Sequence, residues 1–173
     1  MISIIAGHYK GKKLYDIKKL HVRPTQAKVR KSIFQILEPF ENMKVLDLYA
    51  GVGTLGLEAL SRGAKEVVFV ENNRDVFKTL RKNINLFKDI KYELFLSDVI
   101  QYIKSLKNKN FDIIFADPPY AKANFENIRE QIKHILTPGG IFCMEMKREN
   151  IDLESVRIKH YGSTQVVFWS KVI

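Results

Sequence analysis

Between residues 43 and 146, apolar stretches of strand length alternate with segments of helical periodicity, and this alternation most restricts the fold. Strand-like runs fall at 43–49, 67–71, 92–96, 111–116 and 141–146. Helical spacing falls between them at 55–62, 76–87, 99–106 and 125–136; in the second of these, Phe77, Leu80, Ile84 and Phe87 share one side. Strands separated by helices of this length pair in parallel, with each helix crossing over a face. The expected result is an α/β fold with a mostly parallel sheet and helices on both faces. Two last strand candidates, 156–161 and 165–170, have no helix between them. They are expected as a hairpin, making one terminal strand antiparallel.

Ahead of this core, residues 2–14 alternate apolar and polar side chains around Gly7-His8-Tyr9-Lys10-Gly11, the pattern of a β-hairpin. Arg23-Pro24-Thr25 reads as an extended dipeptide leading to a helix cap, with Thr25 as N-cap. Val29, Ile33, Phe34, Ile36 and Leu37 then recur at helical spacing until Pro39 stops the run. A chain of 173 residues fits one domain. Residues 1–40 are expected as an N-terminal extension and 41–173 as the core.

The net charge of +10 is unevenly spread. Residues 1–40 hold nine basic residues against Asp16 and Glu38, which leaves only +3 for the rest of the chain. A basic segment beside a nearly balanced domain suits contact with a phosphate backbone, although a basic chain can equally be basic for solubility alone. No apolar run reaches the ~18 residues of a membrane span. The residues at the start do not form a signal-peptide core, and the lone Cys143 cannot form an internal disulfide. A cytoplasmic monomer without a metal site is expected.

Ligands of parallel sheets bind beyond the carboxyl ends of the strands, and here those ends are acidic. The first core strand ends in Asp47-Leu48-Tyr49, the second at Glu71, the third leads to Ser97-Asp98, and the fourth ends at Asp117. Gly51-Val52-Gly53-Thr54-Leu55-Gly56 matches G-x-G-x-x-G, with Glu71 twenty residues after Gly51. Taken alone, this is a dinucleotide fingerprint, and a nicotinamide-dependent oxidoreductase is the rival enzyme class. Charge argues against it. A pyrophosphate on the helix N-terminus would be crowded by Asp47, Asp98 and Asp117. S-adenosyl-L-methionine has no phosphate and carries a cationic sulfonium and a cationic amine. An acidic rim suits it, with Glu71 left to take the ribose hydroxyls. Individually each residue has a plainer reading: the glycines as a tight turn, Asp98 as the N-cap of the helix beginning at Val99, Glu71 as a solvated strand end.

Asp117-Pro118-Pro119-Tyr120 follows the strand at 111–116. Two prolines remove two donors and fix two φ angles, which makes a stiff loop at the mouth of the sheet. An exocyclic base amine is a poor nucleophile because its lone pair is delocalised. If the Asp117 carboxylate and a proline carbonyl accept its two N–H bonds, the nitrogen is oriented toward the donor methyl. Positioning and fixed dipoles then supply the rate, while Tyr120 offers a face for stacking the base. The bland alternative is a strand terminator with a partly buried tyrosine.

The chain resembles the RsmD family of bacterial 16S rRNA guanine-N2 methyltransferases along nearly its whole length. The matching segments are residues 5–14, Arg23-Pro24-Thr25 with Val29-Arg30, residues 45–64 from Val45-Leu46-Asp47 to Arg62-Gly63-Ala64, and Asp117-Pro118-Pro119-Tyr120. The third is the most specific, because methyltransferases in general share its glycines but not its continuation. The resemblance implies a seven-stranded Rossmann-like class I methyltransferase fold with an N-terminal hairpin extension. It also implies a guanine of small-subunit rRNA as substrate, within an assembled or partly assembled small ribosomal subunit.

Carried over residue by residue, Asp47, Tyr49, Gly51, Gly53 and Thr54 would border the methionine part of the cofactor. Glu71 and Asn72 would take the ribose and flank the adenine, with Asp98 and Val99 at the adenine edge. Asp117 to Tyr120 would hold the base. Lys10, Lys12 and Lys13 of the hairpin, with Arg23, Thr25 and Arg30, would meet RNA. The tetrad by itself serves any planar exocyclic amine, so adenine-N6 methylation of another RNA or of DNA remains the alternative. A cofactor fold retained as a binding module is a further one.

Overall fold

The computed structural model describes residues 2–17, 26–119 and 124–172. Elements follow the order β1 (Ile2–Ser3), β2 (Lys13–Leu14), α1 (Ala27–Leu37), β3 (Lys44–Leu48), α2 (Thr54–Ser61), β4 (Glu66–Glu71), α3 (Arg74–Ile84), β5 (Tyr92–Leu96), α4 (Val99–Ser105), β6 (Phe111–Ala116), α5 (Phe125–Ile132), β7 (Leu136–Lys147), β8 (Val156–Tyr161) and β9 (Thr164–Ser170). A seven-stranded sheet runs β5-β4-β3-β6-β7-β9-β8, with β1 and β2 pairing separately as a short antiparallel hairpin. Strands β5 through β7 are parallel, as the helix-spaced pattern requires. The closing hairpin adds one antiparallel strand, β9, which lies between β7 and the edge strand β8.

Two hydrophobic layers explain why the central strands are apolar throughout. One layer packs α1, α2 and α3 on one face through Phe34, Leu57, Leu80 and Phe115; the other packs α4 and α5 on the opposite face through Ile103, Ile114, Phe125 and Phe142. α2 approaches its sheet closely because residue 56 is glycine: a Cβ there would lie 2.2 Å from Cε1 of Phe69. All eight residues of α2 are buried, including Glu58.

Several boundaries differ from the expectation: α3 ends at Ile84 rather than 87, β7 begins at Leu136 rather than 141, and three differences have a visible cause. α5 stops at Ile132 rather than continuing to 136, because Leu136 already pairs with Phe111 as the start of β7. α3 begins at Arg74, two residues early, since the Asn73 side chain accepts from the N–H groups of Asp75 and Val76 and caps it there. α1 begins after Gln26, whose side chain makes no cap bond; the expected cap, Thr25, lies outside the described residues. No helix among the described residues is long and apolar enough to cross a membrane.

The chain enters the sheet at its middle, β3, moves outward through β4 and β5, then returns to β6 on the other side of β3. The strand order therefore reverses between β3 and β6, and a crevice opens there at the carboxyl ends. Leu48 and Ala116 are partners in that register, so the segments beginning at Tyr49 and Asp117 leave the sheet side by side.

Candidate cofactor and base site

A cavity of about 290 Å³ opens at this reversal point. Its floor is the end of β3 and the glycine loop, including Asp47, Tyr49, Gly51 and Thr54; one wall is Glu71 and Asn72 beyond β4, and the other is Asp117, Pro118 and Pro119 beyond β6. The structure thus gathers nine of the residues expected at the site from three separate strand ends. Tyr120 lies outside the described residues.

Asp47 is almost fully buried and accepts a hydrogen bond from the Gly56 N–H (2.9 Å), so it also ties β3 to the first turn of α2. Burial pushes its carboxyl up to about 8; the Gly56 bond pulls the other way, and Asp117 and Glu71 push further up. Glu71 is not free, as the sequence reading had it. Its two oxygens accept from the N–H groups of Gly51 (3.0 Å) and Asn73 (2.8 Å). Burial nonetheless raises its pKa, more than the N–H groups of Asn73, Gly51 and Asn72 lower it. Each carboxylate oxygen retains a second acceptor direction, so the two bonds aim Glu71 without exhausting it. Among the described residues, no lysine or arginine forms an ion pair with Asp47 or Glu71.

Tyr49 takes a positive φ of 58° at the turn out of β3. Burial raises its hydroxyl pKa, with the Asp98 carboxylate adding to the effect. Asp98 is therefore at the same rim, but it does not line the cavity: it is exposed and caps α4 by accepting from the Gln101 N–H (3.0 Å). Val99 is buried in the second core layer, and Gly53 is not among the residues that line the cavity. Gly53 answers a packing need, because φ is +94° and a Cβ would fall 2.6 Å from Cδ1 of Leu80.

Two further lining residues, Asp16 and Ile17, come from the strap leaving β2. In the sequence Asp16 was only an offset to the basic segment. A buried asparagine positions that strap. The Asn83 side chain, wholly inaccessible, accepts from the Tyr15 N–H (2.7 Å) and donates to the carbonyls of Tyr15 (3.0 Å) and Val52 (2.8 Å). One amide thus links the N-terminal strap to the glycine loop. Its sequence signal was available: Asn83 occupies the apolar stripe of α3, between Leu80 and Ile84.

The basic extension divides. Lys10 and Lys13 are exposed on the hairpin. Lys12 is held, donating to the Leu86 carbonyl (2.9 Å) and lying over the rings of Tyr9 and Phe87. Arg23 and Thr25 fall outside the described residues. Arg30 requires correction as an RNA contact: it is 3% exposed, bonds the Ser3 carbonyl (3.2 Å) and faces Glu58 at 4.0 Å. Burial lowers its pKa, against the attraction of Glu58. Glu58 in turn accepts from the N–H groups of Ile5 (2.7 Å) and Ala6 (3.0 Å) and from Nε of Arg62 (2.9 Å). These bonds clamp the extension onto α2.

A family model described as Conserved hypothetical protein 95 matches residues 2–170. The chain belongs to that family. Curated relatives of this Conserved hypothetical protein 95 member carry the name ribosomal RNA small subunit methyltransferase D. The one from Buchnera aphidicola is 34% identical, with 87% of this chain and 81% of the relative covered. The one from Haemophilus influenzae is 37% identical, covering 86% and 80%. Among solved structures, the Escherichia coli protein yhhF superposes with a TM-score of 0.88 at 28% identity, over 99% of this chain and 98% of that one. An RNA methyltransferase from Salinibacter ruber, solved with S-adenosyl-L-homocysteine, superposes at 0.69 with 17% identity, which shows a shared fold. The family member described here is a methyltransferase. The site residues fit S-adenosylmethionine as the donor: Asp47 and Glu71, which form no ion pair among the described residues, suit its cations and hydroxyls and would repel a pyrophosphate.

Proposed function

We propose that this chain methylates the exocyclic N2 amine of a guanine in small-subunit rRNA, acting on an assembled or partly assembled small ribosomal subunit. The observation that carries the reading is the adjacency of two different kinds of wall in one cavity. Asp47 on the floor and Glu71 on one wall form an acidic side for a cationic cofactor, and Asp117, Pro118 and Pro119 form a stiff, donor-poor wall across from Glu71. The names of the relatives support an rRNA substrate, and the choice of guanine rests on resemblance to the RsmD family.

S-adenosylmethionine supplies an activated methyl group. Asp47 stabilises positive charge at the end of β3, while Glu71, Asn72 and Tyr49 orient the rest of the cofactor. Asp117 and the Pro118 carbonyl accept the two N–H bonds of the target amine, which turns its lone pair toward the methyl. A C–N bond forms as the C–S bond breaks, and the nitrogen gives up one proton, for which the Asp117 carboxylate is the acceptor. Tyr120 stacks the base. Lys10 and Lys13 contact RNA from the hairpin, and the protein works as a monomer.

The test is incubation with labelled S-adenosylmethionine and small ribosomal subunits lacking the modification, followed by nucleoside mapping. N2-methylguanine is expected. Methyladenine would overturn the base assignment, and label on neither base would overturn the rRNA substrate.

A further inference from the structure

The charge excess of residues 1–40 led to the hairpin, yet two of its exposed lysines, Lys28 and Lys31, stand on α1. α1 contains no acidic residue. Its buried stripe (Val29, Arg30, Ile33, Phe34, Leu37) faces the core and leaves both lysines on the outer side. The Ser32 hydroxyl bonds that of Tyr161 at the end of β8, which joins α1 to the far edge of the sheet. Lys28 precedes Ser32 by four residues and so lies on the same line of the helix.

β8 is the edge strand, and its alternation sorts its side chains cleanly. Val156 and Ile158 pack into the layer of α4 and α5. Arg157 and Lys159 are opposite Phe168 and Val166 in the β8–β9 register, and those two belong to the layer of α1. Arg157 and Lys159 are exposed, so they extend that face past the edge of the core, beside α1. Neither β8 nor β9 carries a carboxylate. On β7 the same face carries Glu145, which is buried, and at its end the exposed Lys147.

Direction relates this surface to the reaction site. β8 runs parallel to β7 and β6, so Tyr161 is at the end of the sheet where Asp117 emerges. α1 leads by a short connection into β3, which starts at the opposite end; its first turn, with Lys28 and Lys31, is therefore toward the same rim. Among the described residues none of Lys28, Lys31, Lys147, Arg157 or Lys159 forms an ion pair. An edge strand bearing exposed cations also resists pairing with another strand.

We infer that the α1–β8 face, built from Lys28, Lys31, Arg157 and Lys159, is a phosphate-contact surface that seats the RNA duplex flanking the target base. This rests on the rRNA reading above and assigns its contact area to the C-terminal hairpin and α1 as well as to the N-terminal hairpin. Side chains spaced along a helix and a neighbouring strand suit a regular line of phosphates, for which sequence is not read.

The experiment measures binding of the full chain to 16S rRNA across a salt series, for wild type and for Lys28→Ala/Lys31→Ala/Arg157→Ala/Lys159→Ala. Loss of four phosphate contacts should reduce the slope of log affinity against log salt by roughly three, at about 0.7 to 0.9 per contact. Melting temperature and S-adenosylmethionine affinity should stay at wild-type values. The half-variants Lys28→Ala/Lys31→Ala and Arg157→Ala/Lys159→Ala should each remove about half of the change. An unaltered slope in the quadruple variant, with wild type binding and methylating normally, would overturn the surface and leave the rRNA reading intact. Unaltered binding to bare rRNA but lost binding to small subunits would assign the face to a ribosomal protein and also overturn it. Wild type that binds no rRNA would overturn both.

Discussion

Two clusters of buried carboxylate, one around Glu58 of α2 and one at the ends of β3 and β4, are built from similar parts and are opposite in balance. Glu58 is fully inaccessible, but Arg62 and Arg30 face it and two backbone N–H groups of the N-terminal strand bond it. Asp47 and Glu71 are nearly as buried, yet their described partners are backbone N–H groups alone. The first cluster is balanced within the protein and holds the extension to the core. In the second, burial raises both pKa values, and Asp117 stands close enough to push Asp47 higher. A buried anion without a counter-ion is costly. In the absence of ligand Asp47 avoids that cost by holding its proton up to about pH 8, and a cationic ligand would stabilise the ionised form.

The comparison breaks first at its balanced side. Glu58→Ala leaves Arg30 without a carboxylate and Arg62 with Glu38 alone, and frees two N–H groups, so denaturant unfolding should show a loss of about 3–5 kcal/mol; a loss below about 1 kcal/mol would mean that the cluster is not a clamp. At the rim, Asp117→Ala should lower methyl transfer by about 10²- to 10³-fold while S-adenosylmethionine still binds, and wild-type turnover would remove Asp117 from the mechanism. Between the two clusters stands Asn83. Asn83→Ala leaves the Tyr15 and Val52 groups it served without partners, at about 1–3 kcal/mol. It should also weaken cofactor binding, because both the strap and the glycine loop line the cavity. Intact cofactor affinity would reduce Asn83 to a packing residue.

A further effect is one of pH. A carboxyl whose folded pKa is raised binds its proton more tightly in the folded state than in the unfolded one. Its favourable contribution is therefore full at low pH and is lost as pH rises from the ordinary range near 3.8 to about 8. Ligand-free protein should become less stable across that window, and Asp47→Asn should flatten the slope. A slope of the opposite sign would mean that Asp47 is ionised and compensated.

What the sequence shows of this fold follows from periodicity. The parallel core, the closing hairpin and the ring of strand ends are legible because an alternation of periods admits few topologies. The boundary at α5 was not, because Ile135-Leu136 suits a helix or a strand and only pairing of Leu136 with Phe111 decides. At the site, residues at strand ends could be read, since their position in the fold is dictated by the strand itself. Arg30 was misread because a cation in a basic segment looks solvated until its partner, Glu58 in a different helix, is seen. Asp16 and Ile17 lie on a strap that Asn83 holds at Tyr15; Asn83 stands out in the apolar stripe of α3, but its partner 68 residues away does not.

The central claim, that the rim holds carboxyl groups that ionise to receive a cationic cofactor, is tested most directly by proton counting. S-adenosylmethionine is titrated into the protein by calorimetry in buffers of different ionisation enthalpy, at about pH 6.5, below the range where the amine of the ligand loses its proton. Asp47 is then largely protonated before binding and ionised after it, so a fraction of a proton approaching one should be released, and Asp47→Asn should abolish the release. Tight binding with no proton released would contradict the account.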